Sequence, residues 1–211
     1  MIKIDIEKTP AFIVSLPEGP REKECVKYME SFGIKAVPIY GFRASNCGIS
    51  TEYYNSKDKG RMQVKSIVAG LSHFSVWSAI KWAVESGAYP KDQPFLIVED
   101  DCKFESENWK EQLTQELDHV PEDWQVIYVG SCCASPYEEN KHIGGNVYQL
   151  TRGMCTHCYY VNYSGACDLM KTNQKVWCPI DIQMLVDSIP HMKFYGILPR
   201  LAYQDGANLH P

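Results

Sequence analysis

At 211 residues, 45% of them apolar and 12% aromatic, the chain can bury one full core, which excludes a disordered tail. A net charge of −5 with no basic run excludes a nucleic-acid surface. No apolar run approaches the roughly 18 residues a bilayer span needs, and Met1-Ile2-Lys3-Ile4-Asp5 lacks the long apolar stretch of a signal peptide. The expectation is one soluble domain over 1–211, in the cytoplasm, with no membrane span.

Nine cysteines are an odd number, and without an export signal a reduced set is expected. Cys155 and Cys158 have the spacing of half a zinc site, but no second pair matches it and Cys132-Cys133 is adjacent. Residues 154–161 read as a strand, where free cysteine serves as a small buried hydrophobe.

Ala11 to Val14 is a short apolar run, followed by a turn-rich loop over 15–20. A helix is predicted from about Arg21, with Val26, Met29 and Phe32 on one face and Gly33 as its stop. Ile34 to Tyr40 is the next strand. Strand, helix and strand in this order form a βαβ opening with parallel pairing. Arg21, at a helix start beside the loop after the first strand, is placed to meet a phosphate or a base; a solvated arginine is the alternative. Residues 43–61 are polar and aperiodic, a long loop of the kind that covers or binds.

The longest helix follows, with Ile67, Leu71, Phe74, Trp77, Ile80 and Val84 spaced by three and four, and Gly87 as its end. His73 lies within it; a hydrogen-bonded structural histidine is the alternative to a chemical role. Phe95-Leu96-Ile97-Val98 then reads as a strand buried on both faces. It runs into Glu99-Asp100-Asp101. Ligands bind at the carboxyl ends of strands in open α/β sheets. Three acids there repel one another unless a cation lies between them, and oxygen ligands suit a hard ion such as Mg²⁺ or Mn²⁺. The alternative is that the acids cap the following helix.

Beyond the acids, Trp109, Leu113 and Leu117 mark an amphipathic helix, and Trp124 to Gly130 a strand. Val147 to Leu150 and Thr156 to Val161 are two further strands, and Tyr163-Ser164-Gly165 opens a helix. Another helix follows Pro179-Ile180-Asp181, where Asp181 serves as an N-cap or as a chemical acid. A strand near Phe194 to Leu198 and a polar tail from Tyr203 close the chain.

Four segments in this order resemble the family 25 glycosyltransferases, the lipooligosaccharide galactosyltransferase-like group. Ala11–Leu16 with Arg21, then Ile39-Tyr40-Gly41, is similar to the family's opening. Gly70-Leu71-Ser72-His73-Phe74 with Trp77 resembles its Ser-His helix, and Phe95–Asp101 its strand ending in Glu-Asp-Asp. Thr156–Val161, Ser164-Gly165-Ala166 and Pro179-Ile180-Asp181 resemble its later strand, helix and Pro-x-Asp segment. The 43–61 and 131–145 loops have no counterpart, and the chain is short enough to be one unit of a longer protein.

The resemblance implies a GT-A fold, a Rossmann-like α/β/α sandwich with a mixed, mostly parallel sheet. It implies a nucleotide-sugar donor, UDP-linked by preference, a glycan or glycoprotein acceptor, and Mn²⁺ or Mg²⁺. Asp101 would be the chief metal ligand, with Glu99 nearer the ribose or the metal-bound water and Asp100 beside it. Ser15, Leu16 and Arg21 would line the nucleotide, with His73 near it, and His210 would add a metal ligand. Asp181 would be the general base of an inverting transfer. Trp177, Tyr159 and Tyr160 are stacking candidates for sugar rings, with core packing as the alternative. The cytoplasm would be that of a bacterium or of a virus-infected host. A sugar-phosphate nucleotidyltransferase is the first rival, disfavoured because 15–20 holds one Gly and no basic cluster; an inactive sugar-binding module is the second.

Overall fold

A computed structural model describes residues 4–15, 20–40, 64–131 and 139–205. The 43–61 loop, Leu16 and His210 therefore lie outside the described residues. The first strand, β1 (Ala11–Ser15), leads to helix α1 (Pro20–Ser31) and strand β2 (Ala36–Tyr40). Gly33 ends the first helical segment with φ +73°, a backbone state open to glycine at little steric cost. Helix α2 (Val64–Glu85) precedes β3 (Phe95–Glu99), β4 (Cys102–Phe104), α3 (Trp109–Leu117) and β5 (Val126–Gly130). Strands β6 (Lys141–Gly144), β7 (Val147–Gln149) and β8 (Cys158–Val161) follow, then α4 (Tyr163–Thr172) and α5 (Ile180–Gln183). The last helix continues through a π-helical turn and a short 3₁₀ turn to His191, before β9 (Phe194–Ile197) and β10 (Ala202–Gln204).

Eight strands make one sheet in the order β2-β1-β3-β8-β5-β9-β7-β6, and β10 pairs with β4 in a separate ribbon. The β1–β2, β1–β3 and β5–β9 pairs are parallel. Strand β8 runs antiparallel between β3 and β5, and β7 antiparallel between β9 and β6. Six strands thus share one direction, although four of the seven pairings are antiparallel, so the sheet is mixed as expected but less parallel in its contacts.

Alternation along β3 builds a layer on each face. Leu96 and Val98 join Cys25 and Met29 of α1 and Trp109, Leu113 and Leu117 of α3 in one core. Phe95 and Ile97 join Val76, Trp77, Ile80 and Val84 of α2, Ala166 and Leu169 of α4, and Ile180 of α5 in the other. Each fully buried side chain of this size contributes roughly 1.5–3 kcal/mol relative to exposure. By length and composition 66–85 would suit a bilayer span, contrary to the expectation of no such run, but its apolar stripe is buried against the sheet. Gly165 lets α4 begin against β5, because a Cβ there would collide with the Gln125 carbonyl.

Three short strands are absent from the sequence reading. The tail expected from Tyr203 contains β10, which pairs with β4 in register Ala202↔Phe104 and Gln204↔Cys102. Strand β6 falls inside what reads as a loop. Elements of three or four residues are too short to show a period.

Candidate active site at the end of β3

The carboxyl end of β3 is fastened on both flanks. The Glu99 N–H donates to the His157 carbonyl at 2.9 Å and the Asp100 N–H to the Val14 carbonyl at 3.1 Å. The Asp205 N–H donates to the Asp101 carbonyl at 2.8 Å, so the segment after β10 crosses the same tip. Neighbouring β1, β8 and β10 thereby bring distant side chains to the acids.

Glu99 is fully engaged. Its Oε1 accepts from the Thr156 hydroxyl at 2.5 Å and faces His73 Nε2 at 3.2 Å, while Oε2 accepts from Gln204 Nε2 at 3.0 Å. Beneath it, Trp77 Nε1 donates to the Tyr159 hydroxyl at 2.9 Å, and His73 Nδ1 lies 3.0 Å from that hydroxyl. Because the Glu99 carboxylate can only accept, Nε2 of His73 carries a hydrogen toward it. Burial pushes the Glu99 carboxyl up, but hydrogen bonding and charge from His73 and the Thr156 hydroxyl outweigh it and hold the group below its ordinary value.

Asp100 and Asp101 turn to a different set of partners, Ser15 and Arg21. Asp100 Oδ2 accepts from the Ser15 hydroxyl at 2.7 Å, and its Oδ1 lies 3.7 Å from Arg21 Nη1. The same nitrogen is 3.4 Å from Asp101 Oδ2, and the Arg21 side chain is 62% exposed. Asp101 Oδ1 is buried and, among the described residues, has no hydrogen-bond partner. Burial, then the charges of Glu99 and Asp100, raise the Asp101 carboxyl to about 6, with Arg21 pulling the other way.

A cleft of about 250 Å³ opens beside the tip, lined by Glu99, Thr156 and Gln204 together with Cys155, Pro179 and Asp181. Two backbone N–H groups orient the Asp181 carboxylate: Ile182 reaches Oδ1 at 2.9 Å and Cys155 reaches Oδ2 at 3.3 Å. Cys155 has φ +70°. It is disulfide-bonded, which corrects the expectation of a wholly reduced set; Cys25, Cys102, Cys158, Cys167 and Cys178 are free thiols.

The structure brings together Ser15, Arg21, Glu99, Asp100 and Asp101 at the tip, and Asp181 across the cleft. The His73 side chain is 1% exposed and lies 3.2 Å from Glu99 Oε1. Tyr159 and Tyr160 are buried in the core and are not stacking surfaces. Trp177 is 52% exposed, with its Nε1 held by Asp187 Oδ2 at 2.7 Å. Thr156 and Gln204 are the partners that sequence reasoning missed as site residues.

Among the described residues no three His, Cys, Asp or Glu side chains converge as an all-protein metal cage. A hard ion that is held partly by substrate phosphates needs only one or two carboxylates. The Asp101 Oδ1, without a hydrogen-bond partner among the described residues and with the Asp100 carboxylate beside it, fits that smaller requirement, whereas both oxygens of Glu99 already accept hydrogen bonds.

The described residues form an α/β fold with a mixed central sheet and three acids at the end of its third strand. No family model matches the chain. Over 103 residues it is 28% identical to a procollagen lysyl hydroxylase and glycosyltransferase of Acanthamoeba polyphaga mimivirus, covering 49% of this chain and 11% of that protein. Over 153 residues it is 25% identical to procollagen galactosyltransferase 2 of Homo sapiens, covering 70% and 23% respectively. The chain spans less than a quarter of the length of these relatives. The crystal structure of A197 from STIV superposes with a TM-score of 0.52 at 10% identity, over 93% of this chain and 84% of that one, a likeness of fold alone. The sequence matches are those of distant homology to procollagen galactosyltransferases, in line with the resemblance carried by the four segments.

Proposed function

We propose that the chain is a glycosyltransferase domain that moves a hexose, galactose by preference, from a UDP-sugar to a hydroxyl of a glycan or glycoprotein. The observation that carries this reading is the buried, unpartnered Asp101 oxygen at the end of β3, supported by the distant homology. Asp101 and Asp100 would hold Mn²⁺ or Mg²⁺. When bound, that ion supplies positive charge for the departing diphosphate.

The chain's own residues do the rest. Thr156, His73 and Gln204 keep Glu99 fixed as one wall of the cleft. Asp181, aimed by two backbone N–H groups, takes the proton from an acceptor hydroxyl that enters the same cleft, as an inverting transfer requires. A cleft of about 250 Å³ suits a single sugar ring. Trp177, fixed through its indole N–H, offers an exposed ring for the remainder of the acceptor.

The test is calorimetry with a UDP-sugar and Mn²⁺. Asp101→Ala is expected to lose metal-dependent donor binding by about a hundredfold or more while its circular dichroism is unchanged; equal affinity in the variant refutes the reading. Asp181→Asn should keep donor affinity and lower the transfer rate by roughly 10²–10⁴. Near-normal transfer in steady-state kinetics would remove Asp181 from its role.

A further inference from the structure

Among the described residues the cation paired with the outer acids of the tip is Arg21, and its attachment there is loose. Its Nη1 lies 3.4 Å from Asp101 Oδ2 and 3.7 Å from Asp100 Oδ1, one nitrogen facing two carboxylates in place of a two-pronged pair. The side chain is 62% exposed, and exposed ion pairs are worth little and are readily released. Among the described residues Arg21 has no other hydrogen bond or ion pair. The acids do not depend on it for their orientation: Asp100 is fixed by Ser15 Oγ at 2.7 Å, and the main chain of 99–101 is held by bonds to His157, to Val14 of β1 and to Asp205. Three carboxylates and one guanidinium leave the tip with a formal charge of −2 (−3 + 1), the charge a divalent cation neutralises.

We infer that Arg21 is a resident counter-ion: it stands over Asp100 and Asp101 in the free protein, gives way to the divalent cation, and is re-used as a ligand of the nucleoside diphosphate that arrives with it. This rests on the cation-and-donor reading above and assigns Arg21 two opposite effects within it. A positive charge a few ångströms from the carboxylates repels an incoming cation. The same charge attracts the diphosphate, and a guanidinium is well shaped for phosphate oxygens. Simple binding of the nucleotide by Arg21 would give the second effect without the first. A purely structural ion pair would give neither.

The experiment measures manganese chloride alone, by electron paramagnetic resonance of free Mn²⁺, and then UDP at saturating Mn²⁺, by calorimetry, in the whole chain and its Arg21→Gln and Arg21→Lys variants. Thermal melts establish that the variants are folded, as expected for an exposed side chain. Arg21→Gln should bind Mn²⁺ about three- to tenfold more tightly than the parent, an effect that shrinks with added salt. It should bind UDP about tenfold more weakly. Arg21→Lys, which keeps the charge and loses the fork, should leave Mn²⁺ affinity near that of the parent and weaken UDP by a smaller factor. Unchanged or weaker Mn²⁺ binding by Arg21→Gln overturns the counter-ion, and unchanged UDP binding overturns its re-use. If the parent itself takes up no Mn²⁺, the cation reading fails as well, so the two failures are told apart by the parent's own titration.

Discussion

Glu99 and Asp101 stand two residues apart on one strand end and are exposed to nearly the same degree, 22% and 21% of the side chain. Their acidities nevertheless move in opposite directions, Glu99 below its ordinary value and Asp101 up to about 6. Burial penalises both charges; partners decide the outcome. Glu99 has three side chains directed at its two oxygens, from α2, from the entry to β8 and from β10. Asp101 has one long contact to an exposed arginine and one oxygen without a hydrogen-bond partner among the described residues. The inner carboxylate is therefore a structural post, and the outer one carries an unmet demand for positive charge.

The contrast breaks most visibly at Glu99. Glu99→Ala leaves the hydroxyl of Thr156, the inward N–H of His73 and the amide of Gln204 without their acceptor. Removing one partner from a buried charged network costs about 3–5 kcal/mol. Urea unfolding should show a loss in that range, with the amide protons of β10 among the first to lose protection, since Gln204 ties that strand to the tip. A loss below about 1 kcal/mol, the value of an exposed pair, would mean that Glu99 is solvated and the inner–outer distinction false. The same post should weaken in acid. With its folded pKa depressed, Glu99 contributes stability above its unfolded value and loses it as pH falls through the folded one.

Legibility from sequence followed the same division. Strand β3 stood out because four apolar residues in a row, aromatic and β-branched among them, read as buried on both faces, and α2 because six apolar residues keep a helical spacing. The acids were visible as a cluster, but not the difference among them. That difference comes from residues 57 and 105 positions away, Thr156 and Gln204, which only the pairing of β8 and the return of β10 bring to Glu99. No local pattern marks a three-residue strand such as β10. His73 and Trp77 share a helix face with Ile80 and Val84, so their polarity was legible while their direction, toward Tyr159 and Glu99, was not. Tyr159 and Tyr160 alternate on a strand buried on both faces, which packing decided and composition did not.

The smallest effect tests the outer half. Asp101 has its folded pKa raised from 3.8 to about 6, so the folded protein binds that proton more tightly than the unfolded chain does. The sign is opposite to that of Glu99: ionised Asp101 costs stability at pH values above about 6, and the cost fades as pH falls toward the unfolded value. A shift of this size corresponds to about 3 kcal/mol at most. Solvent at the partly exposed site and loss of the Arg21 contact reduce the expected gain on neutralisation to about 1 kcal/mol. Asp101→Asn, measured in EDTA at pH 7.5, should therefore melt about 2–4 °C above the parent, and the gap should close as pH is lowered through about 6. With Mn²⁺ and UDP present the order should reverse, because only the parent gains the stabilisation of a bound ligand. A variant that melts below the parent at every pH without metal would show that Asp101 is a structural acid like Glu99, and the outer carboxylate would have no unmet charge for a cation to answer.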